Sequence, residues 1–283
     1  MKYTLLYILS LCLLVTGCSR DVSEVPEATE SDNWLPVLTR AAVGTEATIA
    51  GLSSTDSPYA TFSQDVVCKD AASNRWEWKS NSTSPSLNGI TLLTASIPPI
   101  DMRNAIVTLR QSDLSRYPKG LQLGFAPAEN KAVNVKHRLA RLKLDCEDGY
   151  TLNNTIDLYL APTAEVDFRT ATIKTASGNK TSYTHSLKEN RSIILTILPQ
   201  TFQKGDLLFQ YETGNTQYTY YMDRTLDVGI NQSLKVRILP GEGVITKPDD
   251  PSTPTDPTVK VSVTATTSIT EWQEGGNNDV AVE

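Results

Sequence analysis

Apolar positions along this chain recur mainly at every second residue. They come in short runs bounded by clusters of Ser, Thr, Asn, Gly and Pro, and helical spacing is almost absent. Residues 47–52 predict a strand followed by a turn at 53–58, and 59–68 hold another. Residues 75–79 (RWEWK) alternate strictly, which puts Trp76 and Trp78 on one face. After a Ser/Pro loop at 81–88 comes an apolar strand at 90–95, stopped by Pro98 and Pro99. The polar stretch 110–120 leaves room for a short helical turn.

The pattern restarts near Val133. Residues 133–146 (VNVKHRLARLKLDC) alternate with one phase slip at 140–142, which predicts a long strand carrying a bulge. Strands follow at 156–160, 166–173 and 192–198, with a turn at 175–179. Residues 207–211 and 217–222 flank Gly214-Asn215 and read as a hairpin, and 234–239 is a further strand. Residues 247–258 (KPDDPSTPTDPT) hold four prolines and three aspartates, an extended linker. Beyond it Val259, Val261 and Val263 alternate with polar residues, and Ile269 and Trp272 follow. Strands roughly 8 to 12 residues apart are the mark of β-sandwiches, and the restart predicts two of them. The expected division is a first sandwich over 41–130 and a second over 131–283.

The N-terminus adds a different kind of segment. Lys2 precedes an apolar run at 5–15, well short of the roughly 20 residues a spanning helix needs. Val15-Thr16-Gly17-Cys18 then places small residues before a Cys, as a lipoprotein signal does. The expectation is a signal at 1–17 and acylation of Cys18, worth about 0.8 kcal/mol per buried methylene. An ordinary secretory signal that happens to contain a Cys is the weaker reading. Residues 18–40 are polar and acidic, a prosegment that closes on an apolar stretch at 34–38 and Arg40.

Composition narrows the function. The formal net charge is −6, and losing Lys2 with the signal brings it to −7. No basic stripe offers a surface to nucleic acid. Cys12 lies in the signal and Cys18 is the acylation site, which leaves Cys68 and Cys146. These two can pair in an oxidising compartment or sit apart as buried thiols, and the second reading is preferred. Neither histidine, His137 or His185, stands near a nucleophile motif, and no G-x-S-x-G, calcium loop or zinc spacing is present. No catalytic residue, metal or cofactor is therefore expected. Trp76 and Trp78 are either a sugar-stacking platform or a packed strand face, the second again preferred.

Taken in order, several short motifs resemble the fimbrillin family, subunits of type V pili and related adhesins. They are the lipobox at Cys18, Arg40-Ala41, Arg75-Trp76 with the strand and prolines of 90–99, and residues 137–142 (HRLARL). Residues 197–201 (ILPQT) and 269–272 (ITEW) complete the set. The Asp/Pro linker is longer than the family pattern, and the first sandwich matches less densely. The resemblance implies two transthyretin-like β-sandwiches in tandem and delivery to the outer membrane on a lipid anchor. It implies cleavage after Arg40 that frees Ala41, removes the anchor and strips an edge strand. It also implies donation of a C-terminal strand, here Val259, Val261, Val263, Ile269 and Trp272, to the next subunit. The implied partners are other pilus subunits joined head to tail and surface ligands on host or bacterium. The competing expectations are a terminal strand that stays in its own domain, and a monomeric lipoprotein binding glycans through Trp76 and Trp78.

Overall fold

The computed structural model describes residues 34–35, 37–38, 41–79, 84–146, 155–175, 178–186, 192–213, 216–242, 259–266 and 269. The chain divides into residues 1–34 and 35–283, and the fold described here is that of the second unit. It is built almost wholly of strands. The first half gives β1 (Val37–Leu38), β2 (Glu46–Leu52), β3 (Phe62–Asp70), β4 (Arg75–Trp78) and β5 (Leu92–Ile97). After β6 (Ile106–Arg110) a 3-10 turn (Gln111–Arg116) leads to β7 (Gln122–Pro127), β8 (Ala132–Val133) and β9 (Lys136–His137). The second half gives β10 (Ala140–Cys146), β11 (Thr155–Leu160), β12 (Thr163–Asp167), β13 (Thr172–Thr175), β14 (Thr181–Ser186) and β15 (Ser192–Ile197). It ends with β16 (Gln200–Phe202), β17 (Leu207–Thr213), β18 (Thr216–Tyr221), β19 (Leu226–Val228), β20 (Ser233–Glu242) and β21 (Val259–Thr266).

The first core is organised around a six-stranded antiparallel sheet, β4-β3-β2-β5-β7-β9. All six residues of β5 are buried, so this sheet is covered on both faces. On one face Ala50, Leu121 and Leu123 meet Leu109, Ala164 and Val166 of a second sheet, β13-β12-β6. On the other face Ile49 pairs with Ala95, and both are fully buried. A two-stranded parallel ribbon, β1-β8, is layered on that side, with β8 against β5 and β7 and β1 against β4. Gly124 permits the close approach. A Cβ there would come within 2.2 Å of the Asn134 carbonyl oxygen and 3.0 Å of Val133 Cγ1.

The second core lies between sheets β15-β10-β20-β21 and β14-β11-β17-β18. Strand β20 runs parallel to β10 and antiparallel to β21. The expected hairpin at 207–222 is present as β17 and β18, with Phe209 and Tyr220 stacked at 5.4 Å and Tyr211 and Tyr218 at 5.0 Å.

Two expectations are corrected. Residues 133–146 are not one bulged strand but the three strands β8, β9 and β10, which pair with β1, with β7, and with β15 and β20. The phase slip marks the chain leaving the six-stranded sheet for the second sandwich. Residues 166–173 are the tip of the β12–β13 hairpin, reversed at Ala171, whose φ is +50°. That hairpin lies past residue 130 in sequence, yet β12 pairs with β6. The two sandwich cores are further joined by a buried glutamine. Gln111 donates from Nε2 to the Thr196 carbonyl (3.1 Å) and accepts from the Leu198 N–H (3.0 Å).

The close approach at Gly124 sets a test. Gly124→Ala forces backbone apart at the β7–β8 crossing, and it should cost about 1–3 kcal/mol of stability. The shift in the midpoint of urea unfolding measures it, and an unchanged midpoint contradicts the packing described.

Candidate functional site

Leu38 is the residue on which the N-terminal ribbon depends. It is 1% exposed, whereas its neighbour Val37 is 48% exposed, so β1 presents one apolar residue inward. The strand is short. Its register is Val37 with Ala132 and Leu38 with Val133, and the Val37 N–H donates to the Lys131 carbonyl at 3.1 Å. Burying one leucine is worth about 1.5–3 kcal/mol, and one backbone hydrogen bond about 0.5–1.5 kcal/mol. The cover supplied by β1 is thus modest, and it lies over the strand that carries Trp76.

Past β1 the chain is pinned again. Gly44 (φ +86°) makes the turn into β2, with the Gly44 N–H on the Cys68 carbonyl (2.8 Å) and the Cys68 N–H on the Thr45 carbonyl (2.9 Å). The Cys68 thiol faces the Ala41 carbonyl at 3.6 Å. Cys68 is a buried free thiol, as the preferred reading had it, and burial pushes its pKa up.

Beside Ala41 a groove of about 850 Å³ opens. Ala41, Ala42, Ile97, Pro98, Pro99 and Tyr117 give it an apolar lining, and Pro118, Gly120, Val135 and His137 extend it. Its charged residues are Arg116, Lys119 and Glu46, and Glu46 is held by Lys79 at 2.7 Å. Sequence reasoning did not single out this groove. Its signals were the Pro98-Pro99 pair, which read as the stop of a strand, and Tyr117-Pro118-Lys119-Gly120, which fell in a polar stretch with room for a short helical turn.

The other expected site residues are dispersed. Cys18, Arg40 and Trp272 lie outside the described residues. Val259, Val261 and Val263 stand in β21 at the edge of the second sandwich, opposite Glu242, Ile238 and Val236 of β20. The Ile269 N–H donates to the Asn231 carbonyl at 2.7 Å. Trp76 and Trp78 do share the face under β1, as their alternation required. The sugar-platform reading fails at Trp76, which is 0% exposed and offers no ring face to solvent, while Trp78 is half-buried. Gln200, in the 197–201 motif, accepts from the Ala161 N–H (2.9 Å) and donates to the Leu198 carbonyl (3.1 Å), a bracing role. Among the described residues no cluster of His, Cys, Asp and Glu is arranged to hold a metal ion, and no helix is long and apolar enough to cross a membrane.

His137 carries the pH response of the groove. Burial, and secondarily the charge of Arg141, hold its pKa down at about 4 against an ordinary 6.5. Burial lowers that of His185 as well. The unfolded chain therefore takes up protons that the folded chain refuses. The histidine contribution to stability is complete above pH 6.5 and is lost as pH falls towards about 4. His137→Gln should flatten that part of the stability–pH curve, leaving the smaller part due to His185. An unaltered curve in pH-dependent chemical denaturation contradicts the assignment.

Residues 57–272 match the family model described as Fimbrillin-like. Among solved structures, the chain is similar to a candidate cell-adhesion protein of Bacteroides uniformis, with a TM-score of 0.57 and 10% identity over 86% of this chain and 100% of that one. It is also similar to one from Bacteroides ovatus, with a TM-score of 0.54 and 12% identity over 84% of this chain and 97% of that one. At such identities the likeness concerns the fold. No curated protein matches the chain. The family match spans well over half of the sequence, and the chain belongs to the Fimbrillin-like family.

Proposed function

We propose that this chain is a structural subunit of a surface pilus that contributes to cell adhesion. It is exported as a lipoprotein through Cys18, reaches the outer membrane and is held there until a protease cuts after Arg40. Ala41 becomes the new N-terminus, and the leaving segment takes β1 with it. The place of β1 is then filled by a C-terminal segment of another subunit.

The observation that carries this reading is β1 itself. It ends two residues before Arg40, it contributes one deeply buried leucine, and among the described residues it pairs through two. Its loss exposes an apolar sheet face and unpaired backbone beside β8, a state that invites a strand from elsewhere. A strand given by one subunit and taken by the next is a heterologous contact, which does not close and so builds a fibre. Membership of the Fimbrillin-like family supports the same reading. The role requires no catalytic residue and no cofactor.

The reading is tested by a controlled cut with a trypsin-like protease. The product should begin at Ala41, and it should form a ladder of bands resistant to mild SDS. Arg40→Ala should abolish both results. A product that begins at Ala41 and stays monomeric contradicts assembly by strand exchange.

A further inference from the structure

A second cavity, of about 560 Å³, lies where β13, β16 and β19 come together, and it shares no lining residue with the groove beside Ala41. Small-molecule sites span about 300–1,000 Å³, so this one has room for a ligand. Residues 199–201 of the 197–201 motif form one wall, and Ile173 and Lys174 of β13 form another. The Thr175 hydroxyl donates to the Pro199 carbonyl and ties the two walls together. Gln200, bonded to Ala161 and Leu198, holds the first wall in place.

The charged groups of this cavity are fixed rather than trailing in solvent. The Lys180 side chain is only 14% exposed. Its Nζ donates to the Thr201 carbonyl (3.0 Å) and to Asp206 Oδ2 (3.2 Å), and it stands 4.7 Å over the Phe202 ring. Asp206 Oδ2 also accepts from the Gln203 N–H at 2.8 Å. On the β16–β19 ladder Thr201 lies opposite Asp227, and its hydroxyl donates to Asp227 Oδ1 at 3.0 Å. These bonds engage one oxygen of each carboxylate, so Asp206 Oδ1 and Asp227 Oδ2 can accept from a guest. Lys174 lines the same cavity from an exposed position and brings a further ammonium donor.

The balance of these groups selects the guest. Two ammonium and two carboxylate groups leave the lining with no net charge. An anion would face the carboxylates and a cation the ammoniums, each at a cost. A neutral guest whose polar groups both donate and accept meets neither. A hydroxyl is such a group, with one donor and two acceptor lone pairs. A sugar ring carries several of them in rigid array, so neighbouring hydroxyls can donate to a carboxylate oxygen and accept from an ammonium together. Ile173 and Pro199 give its C–H face apolar ground. Because the fold already fixes Lys180, Asp206 and Thr201, binding orders little that was free. We infer that this cavity binds a mono- or disaccharide, with Asp206 and Asp227 accepting from its hydroxyls and Lys174 donating to them. The cavity is complete within one chain, so the inference goes beyond the pilus reading and does not depend on assembly. It gives the adhesive role a ligand class that the buried Trp76 does not offer.

Saturation-transfer NMR on the full, uncut chain tests this. The probes are lactose, maltose and the methyl glycosides of glucose, galactose, mannose, fucose and N-acetylglucosamine. At least one should receive saturation, and titration of the strongest gives its affinity. Lys174→Ala and Asp227→Asn should each weaken that affinity by about tenfold or more, the worth of one charge-assisted hydrogen bond. Lys174 is exposed, and Asp227→Asn keeps an oxygen for the Thr201 hydroxyl, so both variants should melt as the parent does. Should Asp227→Asn melt early, Lys174→Ala decides alone. No saturation on any of the sugars overturns the inference, as does undiminished binding by a folded variant. Displacement of the sugar by glycylglycine also overturns it, because the cavity would then select a zwitterion. A chain that binds sugar yet makes no ladder after the cut defeats the pilus reading and leaves this one standing.

Discussion

A central strand whose two faces are both apolar needs two covers. Strand β5 is that strand, and the six-stranded sheet around it inherits the requirement. One cover is a full sheet, β13-β12-β6, with Val166, Leu109 and Ala164 in a shared core. The other is a ribbon of two short strands, whose described share from the N-terminal side is Leu38. The asymmetry is physical. The first cover is secured by many buried residues, whereas Leu38 and the Val37 hydrogen bond contribute about 2–4 kcal/mol to the second. The cut proposed after Arg40 would take its part of the core from this thinner cover.

That placement organises the rest of the molecule. Gly124 lets β8 lie close on the sheet, so under the proposed cut after Arg40 the β8 half of the thin cover would stay behind. Cys68 and Gly44 hold the chain at Ala41–Thr45 independently of β1, so the N-terminus that the proposed cut would create is anchored beforehand. The second sandwich has its own core, with Leu142, Ile156, Phe209 and Leu234 among its residues. The buried Gln111 ties it to the first core through the Thr196 carbonyl and the Leu198 N–H.

Much of this was legible in the sequence because period-two alternation survives wherever one face of a strand is buried. Strands near 47–52, 75–79, 156–160, 192–198 and 207–222 are where the pattern put them. Alternation reports which residues share a face, and it says nothing about what lies on that face. It therefore placed Trp76 beside Trp78 correctly and left their exposure open, since the cover comes from β1, far off in sequence. The same blindness merged β8, β9 and β10 into one strand, because the alternation continues while the chain passes between sheets. The β12–β13 reversal was missed because it turns at Ala171 without a glycine. The groove was illegible for a related reason. It is assembled from four separate stretches near residues 41, 98, 117 and 137, and no pattern along the chain shows that they meet.

The central claim is that β1 is a removable cover over β8 and the Trp76 strand. Hydrogen–deuterium exchange of the peptides spanning 130–136 and 74–79 tests it most directly, compared in the intact chain, the freshly cut monomer and the assembled polymer. The account predicts protection in the intact chain, loss of protection on cutting, and recovery on assembly. Protection that persists unchanged in the cut monomer would contradict it, because β1 would then not be what shields this face.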